Sequence, residues 1–278
     1  MKLNISSEKK LENGISIPKL GLGVYKVPED QVYETVLSAL EIGYRHIDTA
    51  SFYGNEEGVG KAIRDSGIAR EEIFVTSKVW NDDQGFDSTL KAFDRSMEKL
   101  GFDYLDLYLI HWPVPGIFTD TWRALEKIYH GERVRAIGVS NFLEHHLESL
   151  SKTAINMPVV DQIELHPKLS QKSTVEYCRK NNITVESWSP LGRAKYLNEP
   201  DLVKIADKYN KSVAQLIIRW HLENDFVVIP KSTNVLRQKE NADVFNFAIS
   251  KEDMAYMNQM DEDLRIGSHP DSIKPVSQ

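Results

Sequence analysis

Residues 73–112 read IFVTSKVWNDDQGFDSTLKAFDRSMEKLGFDYLDLYLIHW and decide the fold class. The two apolar ends of this stretch are rich in Val, Ile and Leu, as is typical of strands that are buried on both faces of a parallel sheet. Between them, residues 87–101 open with the candidate N-caps Asp87 and Ser88 and end at a glycine, which predicts a helix. A strand, a helix and a second strand in this order predict a β/α/β unit with parallel strands.

The same alternation of strand and helix runs along the chain on both sides of this stretch. Eight such units without a Pro-rich or Ser-rich linker predict one α/β domain over residues 1–278, with the architecture of a (β/α)8 TIM barrel. Asn13-Gly14 between β-like flanks predicts an N-terminal β-hairpin within residues 8–18, which we expect to cap the bottom of the barrel. The predicted barrel strands are 20–26, 45–50, 73–80, 104–112, 134–141, 159–165, 183–190 and 226–232, and the predicted helices include 29–43, 87–101, 121–131, 201–210 and 212–224.

The composition argues against several classes of protein. Hydrophobic residues make up 41% of the 278 residues and charged residues 27%, which suffices for a large core and is not typical of disorder. The net charge of −7 argues against binding to nucleic acid, which requires a basic surface. The polar N-terminus predicts no signal peptide, the apolar runs are too short to span a membrane, and Cys178 alone cannot form an internal disulfide. We therefore expect a cytoplasmic protein without nucleic-acid or membrane partners, with Cys178 in the core.

Polar or aromatic side chains end most of the predicted strands. The sequence intervals between these side chains are mostly the length of one strand plus one helix. In a parallel barrel, the C-terminal ends of the strands converge on one mouth. Residues that are far apart in the sequence can therefore share one site. The residues at these ends are Asp48, Lys78, His111, Asn141, Gln162, Trp188 and Lys231.

Four residues at or near the first three of these ends suit acid catalysis. Tyr53 is a poor acid at its reference pKa of about 10, but the ammonium of Lys78 would lower that pKa and Asp48 would keep the lysine charged. Such a phenol can protonate a developing alkoxide, and His111 can orient the substrate oxygen. Each residue alone also has a structural explanation, as a rim lysine, a cap, a packed histidine or a surface aromatic. Together they favour a site, because charged residues in buried strands are rare unless they are paired.

The chain lacks the usual dinucleotide-binding fingerprints. Gly21-Leu22-Gly23 does not continue as GxGxxG, and no GxxxxGK[ST] sequence occurs. The predicted barrel mouth nevertheless offers Ser140, Asn141 and Gln162 for an amide, and the face of Trp188 for stacking. The segment 229–233, IPKST, followed by Arg237, offers groups for a phosphate, although Lys231 and Arg237 alone would be ordinary solvated charges.

Several stretches in their order resemble the aldo-keto reductase superfamily over essentially the full length of the chain. They are GLGVY, HIDTASFYGNEEGVGKAI, SKVW, YLDLYLIHWP, AIGVSNF, QIELHP, SWSPLG and IPKSTNVLRQKENADVFNF. The resemblance implies that Asp48, Tyr53, Lys78 and His111 form a catalytic tetrad with Tyr53 as the general acid. It also implies hydride transfer from the nicotinamide of NADPH to a substrate carbonyl.

The resemblance further implies a set of cofactor contacts. Ser140, Asn141 and Gln162 would hold the carboxamide, and Trp188 would stack on the nicotinamide. A lysine and an arginine near the 2′-phosphate favour NADPH over NADH. The remaining implied contacts are Ser189, Leu191 and Gly192 along the pyrophosphate, Lys231, Ser232 and Arg237 at the 2′-phosphate, Glu240 and Asn241 at the adenine, and Val24, Tyr25, Asp48 and Thr233 elsewhere along the cofactor.

A short segment after His111, VPGIFTD at 114–120, and a short C-terminal tail predict an open and shallow substrate site. Its predicted lining is Tyr25, Trp80, His111 and Trp112, although the aromatic residues could also serve only as rim packing. Such a site discriminates weakly, since one methylene in a pocket contributes only about 1–3 kcal/mol. These features resemble the bacterial branch that acts on glyoxal, methylglyoxal and diketo sugar acids.

Alternative interpretations remain at this point. The chain could be an NADPH-binding regulatory subunit with little turnover, or a hydrolase or isomerase that uses Asp48 and His111 without a cofactor. His145 and His146 are adjacent, which predicts that they point to different sides of a helix and hold no metal. The resemblance implies a monomer. The tail at 264–278 is predicted to be an irregular segment near the barrel rim, with a frayed terminus as the alternative.

Overall fold

The computed structural model describes residues 3–275. Its strands are β1 (Glu8–Lys10), β2 (Ser16–Pro18), β3 (Leu22–Gly23), β4 (His46–Asp48), β5 (Phe74–Val79), β6 (Leu105–Ile110), β7 (Val134–Ser140), β8 (Val160–Glu164), β9 (Thr184–Trp188) and β10 (Val227–Val228). Its helices are α1 (Glu29–Ile42), α2 (Glu56–Asp65), α3 (Phe86–Leu100), α4 (Phe118–His130), α5 (Glu144–Ser151), α6 (Lys172–Lys180), α7 (Pro200–Lys208), α8 (Val213–Glu223), α9 (Val235–Ala242) and α10 (Lys251–Asn258).

The strands β3 to β10 form a closed parallel barrel. They pair in sequence order, and a parallel bridge between Leu20 and Val228 joins the first strand to the last. The backbone N–H of Gly21 donates to the carbonyl of Val228 at 2.9 Å across this seam. The predicted (β/α)8 barrel is therefore confirmed, with all eight strands at their predicted places.

The predicted N-terminal hairpin is also confirmed. Strands β1 and β2 are antiparallel, with Lys9 opposite Ile17. Ile17 is fully buried and belongs to a cluster with Phe74 and Val227, which lie at the starting ends of their strands. The hairpin therefore closes the barrel at the bottom, opposite to the mouth.

The start of α3 differs from the prediction. The N-cap is Gly85 at φ 113°, and the helix begins at Phe86, so Asp87 and Ser88 lie inside the first turn and are not N-caps. The hydroxyl of Ser88 donates back to the carbonyl of Gln84 at 2.7 Å. The conformational freedom of glycine lets the chain enter the helix earlier than the polar side chains suggested.

Helix α4 begins three residues before the predicted start, at Phe118. The ring of Phe118 is buried in an edge-to-face contact with Phe142, with 5.3 Å between the centroids. The connection after β6 is therefore even shorter than the sequence pattern indicated.

The core is continuous between the barrel wall and the helices. Every residue of β5 and β6 is buried, and Cys178 is fully buried as predicted. Among residues 3–275, no helix combines the length and the apolar character that a bilayer crossing requires.

Helices α2 and α3 approach closely at Gly60, because a Cβ there would overlap the carbonyl of Leu100. We expect Gly60→Ala to lower the free energy of unfolding by about 3 kcal/mol through overpacking, although alanine is favoured over glycine within a helix by about 1 kcal/mol. Chemical denaturation measures the change, with the exposed Glu57→Ala on the same helix as the control. A Gly60→Ala protein as stable as the wild type would show that the two helices do not require this close approach.

Candidate active site

The predicted strand ends converge on one cleft at the mouth of the barrel, with a volume of about 700 Å³. Most of the residues that the sequence pattern singled out line it. Lys78 is fully buried beneath its floor. The predicted residues that line the cleft are Tyr25, Asp48, Tyr53, Trp80, His111, Trp112, Ser140, Asn141, Gln162, Trp188, Ser189, Leu191 and Lys231.

A buried ion pair forms the floor of the cleft. Lys78 Nζ donates to both carboxylate oxygens of Asp48, at 2.7 and 2.8 Å. It also donates to the carbonyl of Thr49 at 2.9 Å and to the phenol oxygen of Tyr53 at 3.3 Å. Because a buried charge is stable only when it is paired and hydrogen-bonded, these contacts fix the ammonium beneath Tyr53.

Tyr53 ends a short 3-10 turn, Ser51–Tyr53, in the connection after β4. Burial raises the pKa of the phenol well above its ordinary value, and Asp48, Tyr25 and Glu186 raise it further. The net shift of this pKa is therefore upwards, not downwards as expected, because burial has a larger effect than the neighbouring charges. Asp48 balances the lysine charge, and the barrel wall withholds water from the phenolate. Tyr53 consequently keeps its proton at neutral pH, as a proton donor must.

His111 stands above the ion pair as a neutral imidazole. Burial and then the charge of Lys78 hold its pKa well below the ordinary value. Its ring meets the rings of Trp80 and Tyr53 edge to face, with centroids 5.0 and 5.7 Å away. Its Nδ1 has no hydrogen-bond partner among residues 3–275. A neutral imidazole carries one N–H, which can donate to a substrate oxygen.

The predicted carboxamide-binding residues form a hydrogen-bonded wall of the cleft. The amide of Asn141 donates to the carbonyl of His111 at 2.9 Å and accepts from the indole N–H of Trp188 at 2.9 Å. Ser140 Oγ donates to the carbonyl of Gln162 at 2.7 Å. These bonds hold the indole in place, so its face is available for a planar group to stack on it.

The cleft continues from Trp188 past Ser189 and Leu191 to Lys231. Ser189 has φ 49° and Arg193 has φ 50°, so the chain curves sharply here. The predicted phosphate-binding residues lie beyond this curve, at the start of α9, where Asn234 is the N-cap and accepts from the N–H of Arg237 at 3.1 Å. Helix N-termini and cationic side chains favour phosphate.

Several predicted cofactor residues do not line the cleft itself. Val24 and Asn241 are buried, whereas Thr233 and Arg237 are exposed. Glu240 accepts a hydrogen bond from Ser212, which lies at the start of α8. Ser232 packs against Asn234, whose N–H it accepts at 3.1 Å. The predicted roles of these residues and of Gly192 remain predictions.

The outer part of the cleft is aromatic. Phe52 and Trp80 stack with their centroids 3.7 Å apart, and Phe52 remains 49% exposed at the rim. The C-terminal tail passes the same rim, as predicted, although residues 276–278 lie outside the described part. Ile229 and Pro230 of the predicted segment 229–233 also line the cleft. Sequence reasoning missed the lining residues Gly23, Lys26, Phe52, Asn81, Pro190, Arg193, Gly267, Ser268 and Ile273.

His145 and His146 do not point to different sides, so that prediction is wrong. Their ring centroids are 4.0 Å apart, and both Nε2 atoms approach Asp271 of the tail, at 2.9 and 3.4 Å. The Nδ1 of His146 accepts from the N–H of Leu143 at 3.1 Å. A neutral His146 therefore carries its proton on Nε2, which lies 3.4 Å from Asp271 Oδ1. The cluster attaches the tail to α5.

The sequence and the structure both match known proteins. Residues 19–262 match the aldo/keto reductase family. The chain is 52% identical to glyoxal reductase of Bacillus subtilis, over 98% of this chain and 99% of that protein. It is 44% identical to methylglyoxal reductase DkgA of Salmonella typhimurium, over 95% of this chain and 97% of that protein. The crystal structure of a point mutant of Gox0644 in complex with NADPH superposes with a TM-score of 0.93 at 46% identity, over 97% of this chain and 99% of that one.

The matches agree with the fold and the site, since the chain forms a closed parallel barrel with the buried Lys78–Asp48 pair beside Tyr53. This chain belongs to the aldo/keto reductase family of oxidoreductases.

Proposed function

We propose that this chain reduces small aldehydes and ketones to alcohols with NADPH. The observation that carries the proposal is the buried Lys78–Asp48 pair, which holds an ammonium 3.3 Å from the phenol oxygen of Tyr53 at the floor of the cleft. NADPH, when bound, supplies the hydride. The chain itself has to hold the cofactor, orient the carbonyl and deliver the proton.

The residues along the cleft suit this cofactor. Ser140, Asn141 and Gln162 offer donors and acceptors for a carboxamide, and the fixed indole of Trp188 offers a face for the nicotinamide ring. Lys231 and Arg237 are exposed near the start of α9, where a 2′-phosphate would meet two positive charges. The structure of the Gox0644 mutant in complex with NADPH supports the same choice.

The proton reaches the substrate from Tyr53. In the proposed reaction the hydride adds to the carbonyl carbon, the phenol proton moves to the carbonyl oxygen, and an alcohol results. His111, as a neutral donor beside Tyr53, orients that oxygen. The ammonium of Lys78 stabilises the phenolate that remains on Tyr53.

We propose glyoxal, methylglyoxal and related keto sugar acids as the substrate class. The short connection from β6 to α4 leaves the cleft open above His111, Trp80 and Trp112. An open site of this kind admits varied small carbonyls and selects weakly among them. The names of glyoxal reductase and methylglyoxal reductase support this choice. The acidic chain with a single, buried cysteine suits the reducing cytoplasm.

The first test follows NADPH absorbance with glyoxal, methylglyoxal and a keto sugar acid, each in parallel with NADH. Turnover of at least one of them with NADPH is the expected result. An absence of turnover together with tight binding of NADPH would favour the regulatory interpretation. An absence of NADPH binding would contradict the proposed function.

A second test concerns the choice of cofactor. We expect the double variant K231A/R237A to weaken NADPH binding about 100-fold, since each hydrogen bond to a charged group contributes about 1.5–3 kcal/mol. The affinity for NADH, which lacks the 2′-phosphate, should stay the same. Quenching of tryptophan fluorescence measures both dissociation constants. The control variant is Lys239→Ala, which replaces an exposed lysine on the same helix as Arg237. Equal losses for the two cofactors would contradict a 2′-phosphate site at this place.

A further inference from the structure

Glu186 is a fully buried carboxyl inside the barrel that the proposed reaction does not use. It lies in β9 and is in register with Gln162 of the neighbouring strand β8. Side chains that occupy paired positions in parallel strands point to the same face of the sheet. Glu186 and Gln162 therefore both point into the barrel, beneath the cleft.

One amide group connects Glu186 to the catalytic ion pair. The side-chain nitrogen of Gln162 donates to Asp48 Oδ2 at 2.7 Å and to Glu186 Oε2 at 2.9 Å. Both amide hydrogens are used, because an amide nitrogen has only two. Gln162 lines the cleft, and its amide oxygen is left for the group that occupies the cleft.

The second oxygen of Glu186 is the less usual feature. Oε1 has no hydrogen-bond partner among residues 3–275 and lies 3.5 Å from the Nε2 of His46. Burial, and then the nearby charge of Asp48, raise the pKa of Glu186 to about 8. At neutral pH this carboxyl is consequently protonated. Above about pH 8 it ionises and adds a second negative charge beside Asp48.

We propose that Glu186 is a positioning residue that fixes the amide of Gln162 with its oxygen towards the nicotinamide carboxamide. This inference rests on the proposed use of NADPH. Without Glu186, one amide hydrogen of Gln162 has no acceptor, and only the hydrogen bond to Asp48 holds the amide in its orientation. With Glu186 ionised, the site also favours the cationic ring of NADP⁺ over the neutral ring of NADPH.

The binding test compares Glu186→Leu, which removes the acceptor, with Glu186→Gln, whose carbonyl oxygen can still accept from Gln162. We expect the Kd of NADPH to rise about 10-fold in E186L, because one hydrogen bond to the cofactor is lost. In E186Q the Kd should change less than about 3-fold. The control is Glu56→Gln, at another buried carboxyl that accepts from Ser77 at 2.6 Å and does not contact Gln162. E56Q should leave the Kd unchanged.

A pH series gives a readout that a purely structural role would not change. The ratio of the Kd of NADP⁺ to that of NADPH should fall as the pH rises through about 8 in the wild type, and it should stay constant in E186Q. The other groups that face Glu186 are His46 and Asp48 of β4, Lys78 of β5, and Tyr53. Burial lowers the pKa of His46 to about 3 and raises that of Tyr53 well above its ordinary value, so neither explains a transition near pH 8.

The outcomes separate this inference from the proposed function. A folded E186L protein that binds NADPH as the wild type does would overturn the inference and leave the proposed function standing. If E186L does not fold, the pH series decides, and the same transition in E186Q would overturn the inference. A wild-type protein that does not bind NADPH would refute the proposed function and this inference with it.

Discussion

Replacing Tyr53 by Phe is expected to reduce kcat for carbonyl reduction by about 10²- to 10⁴-fold, the range that general acid catalysis contributes. The Kd of NADPH should change by less than about 2-fold, since the phenol oxygen is not among the groups proposed to hold the cofactor. Steady-state kinetics with glyoxal and a fluorescence titration with NADPH measure the two quantities.

The expected loss follows from the position of the phenol. Lys78 Nζ lies 3.3 Å from its oxygen, and burial keeps the phenol protonated at neutral pH. Phenylalanine preserves the ring, and with it the contact to Tyr25 at 5.0 Å between centroids. The substitution therefore removes the transferable proton and little else. Water in the open cleft is a poor substitute donor, because it is neither acidic nor positioned.

The matched control is Tyr33→Phe, which removes a surface hydroxyl that donates to Asp65 at 3.0 Å, far from the reaction. Its kcat should equal that of the wild type. A Y53F protein that keeps most of its rate would remove Tyr53 from the role of general acid. His111 would then be the next donor to test, because its ring is 5.7 Å from that of Tyr53.

The barrel and the floor of its site could be predicted because their signals are local. Asp48 and Lys78 interrupt apolar runs that only a buried strand explains, and the β/α alternation brings their strands together. The contact between them follows from pairing of neighbouring strands, in which Asp48 lies opposite Thr76, two residues before Lys78. For residues in regular strands, the sequence pattern therefore predicts which residues of the neighbouring strand they contact.

The features that the sequence did not reveal depend on contacts between distant segments. Phe52 stacks on Trp80 only because two loops meet at the rim, and Ile273 reaches the cleft from a tail without periodicity. The direction of the pKa shift of Tyr53 depends on how much water the barrel wall excludes. Glu186 is a charged residue in a predicted strand, but its connection to Asp48 through Gln162 becomes visible only once β8 and β9 pair.

The second large effect concerns stability and activity together. Lys78→Met is expected to abolish reduction and to lower the free energy of unfolding by about 3–5 kcal/mol, the cost of leaving a buried charge without its partner. Burial raises the pKa of Asp48, and Lys78 and the hydrogen bond from Gln162 lower it. Removal of the lysine therefore leaves only the bond from Gln162 against the effect of burial. Chemical denaturation and the NADPH assay measure the two losses.

The pH dependence of this loss has a definite sign. Burial holds the pKa of Asp48 above its ordinary value already in the wild type, and removal of Lys78 should raise it further, so the neutral form is the one that the fold of the variant tolerates. The part of the difference in stability between K78M and the wild type that is due to Asp48 should therefore grow as the pH rises from the folded-state pKa of Asp48 in the wild type towards its higher pKa in the variant, and shrink as the pH falls. A difference that is constant with pH would show that lost packing, not the unpaired carboxylate, causes it.

The double variant D48N/K78M separates the structural role of the pair from its chemical role. The asparagine side chain introduced by Asp48→Asn would carry no charge and could still accept the hydrogen bond from Gln162, which is 2.7 Å from Asp48 in the wild type. We expect most of the lost stability to return, because replacing both partners of a buried pair is often nearly neutral. Activity should not return, since no ammonium remains to stabilise the phenolate of Tyr53. If the double variant regained its stability and also reduced carbonyls at the wild-type rate, Lys78 would have no part in the chemistry.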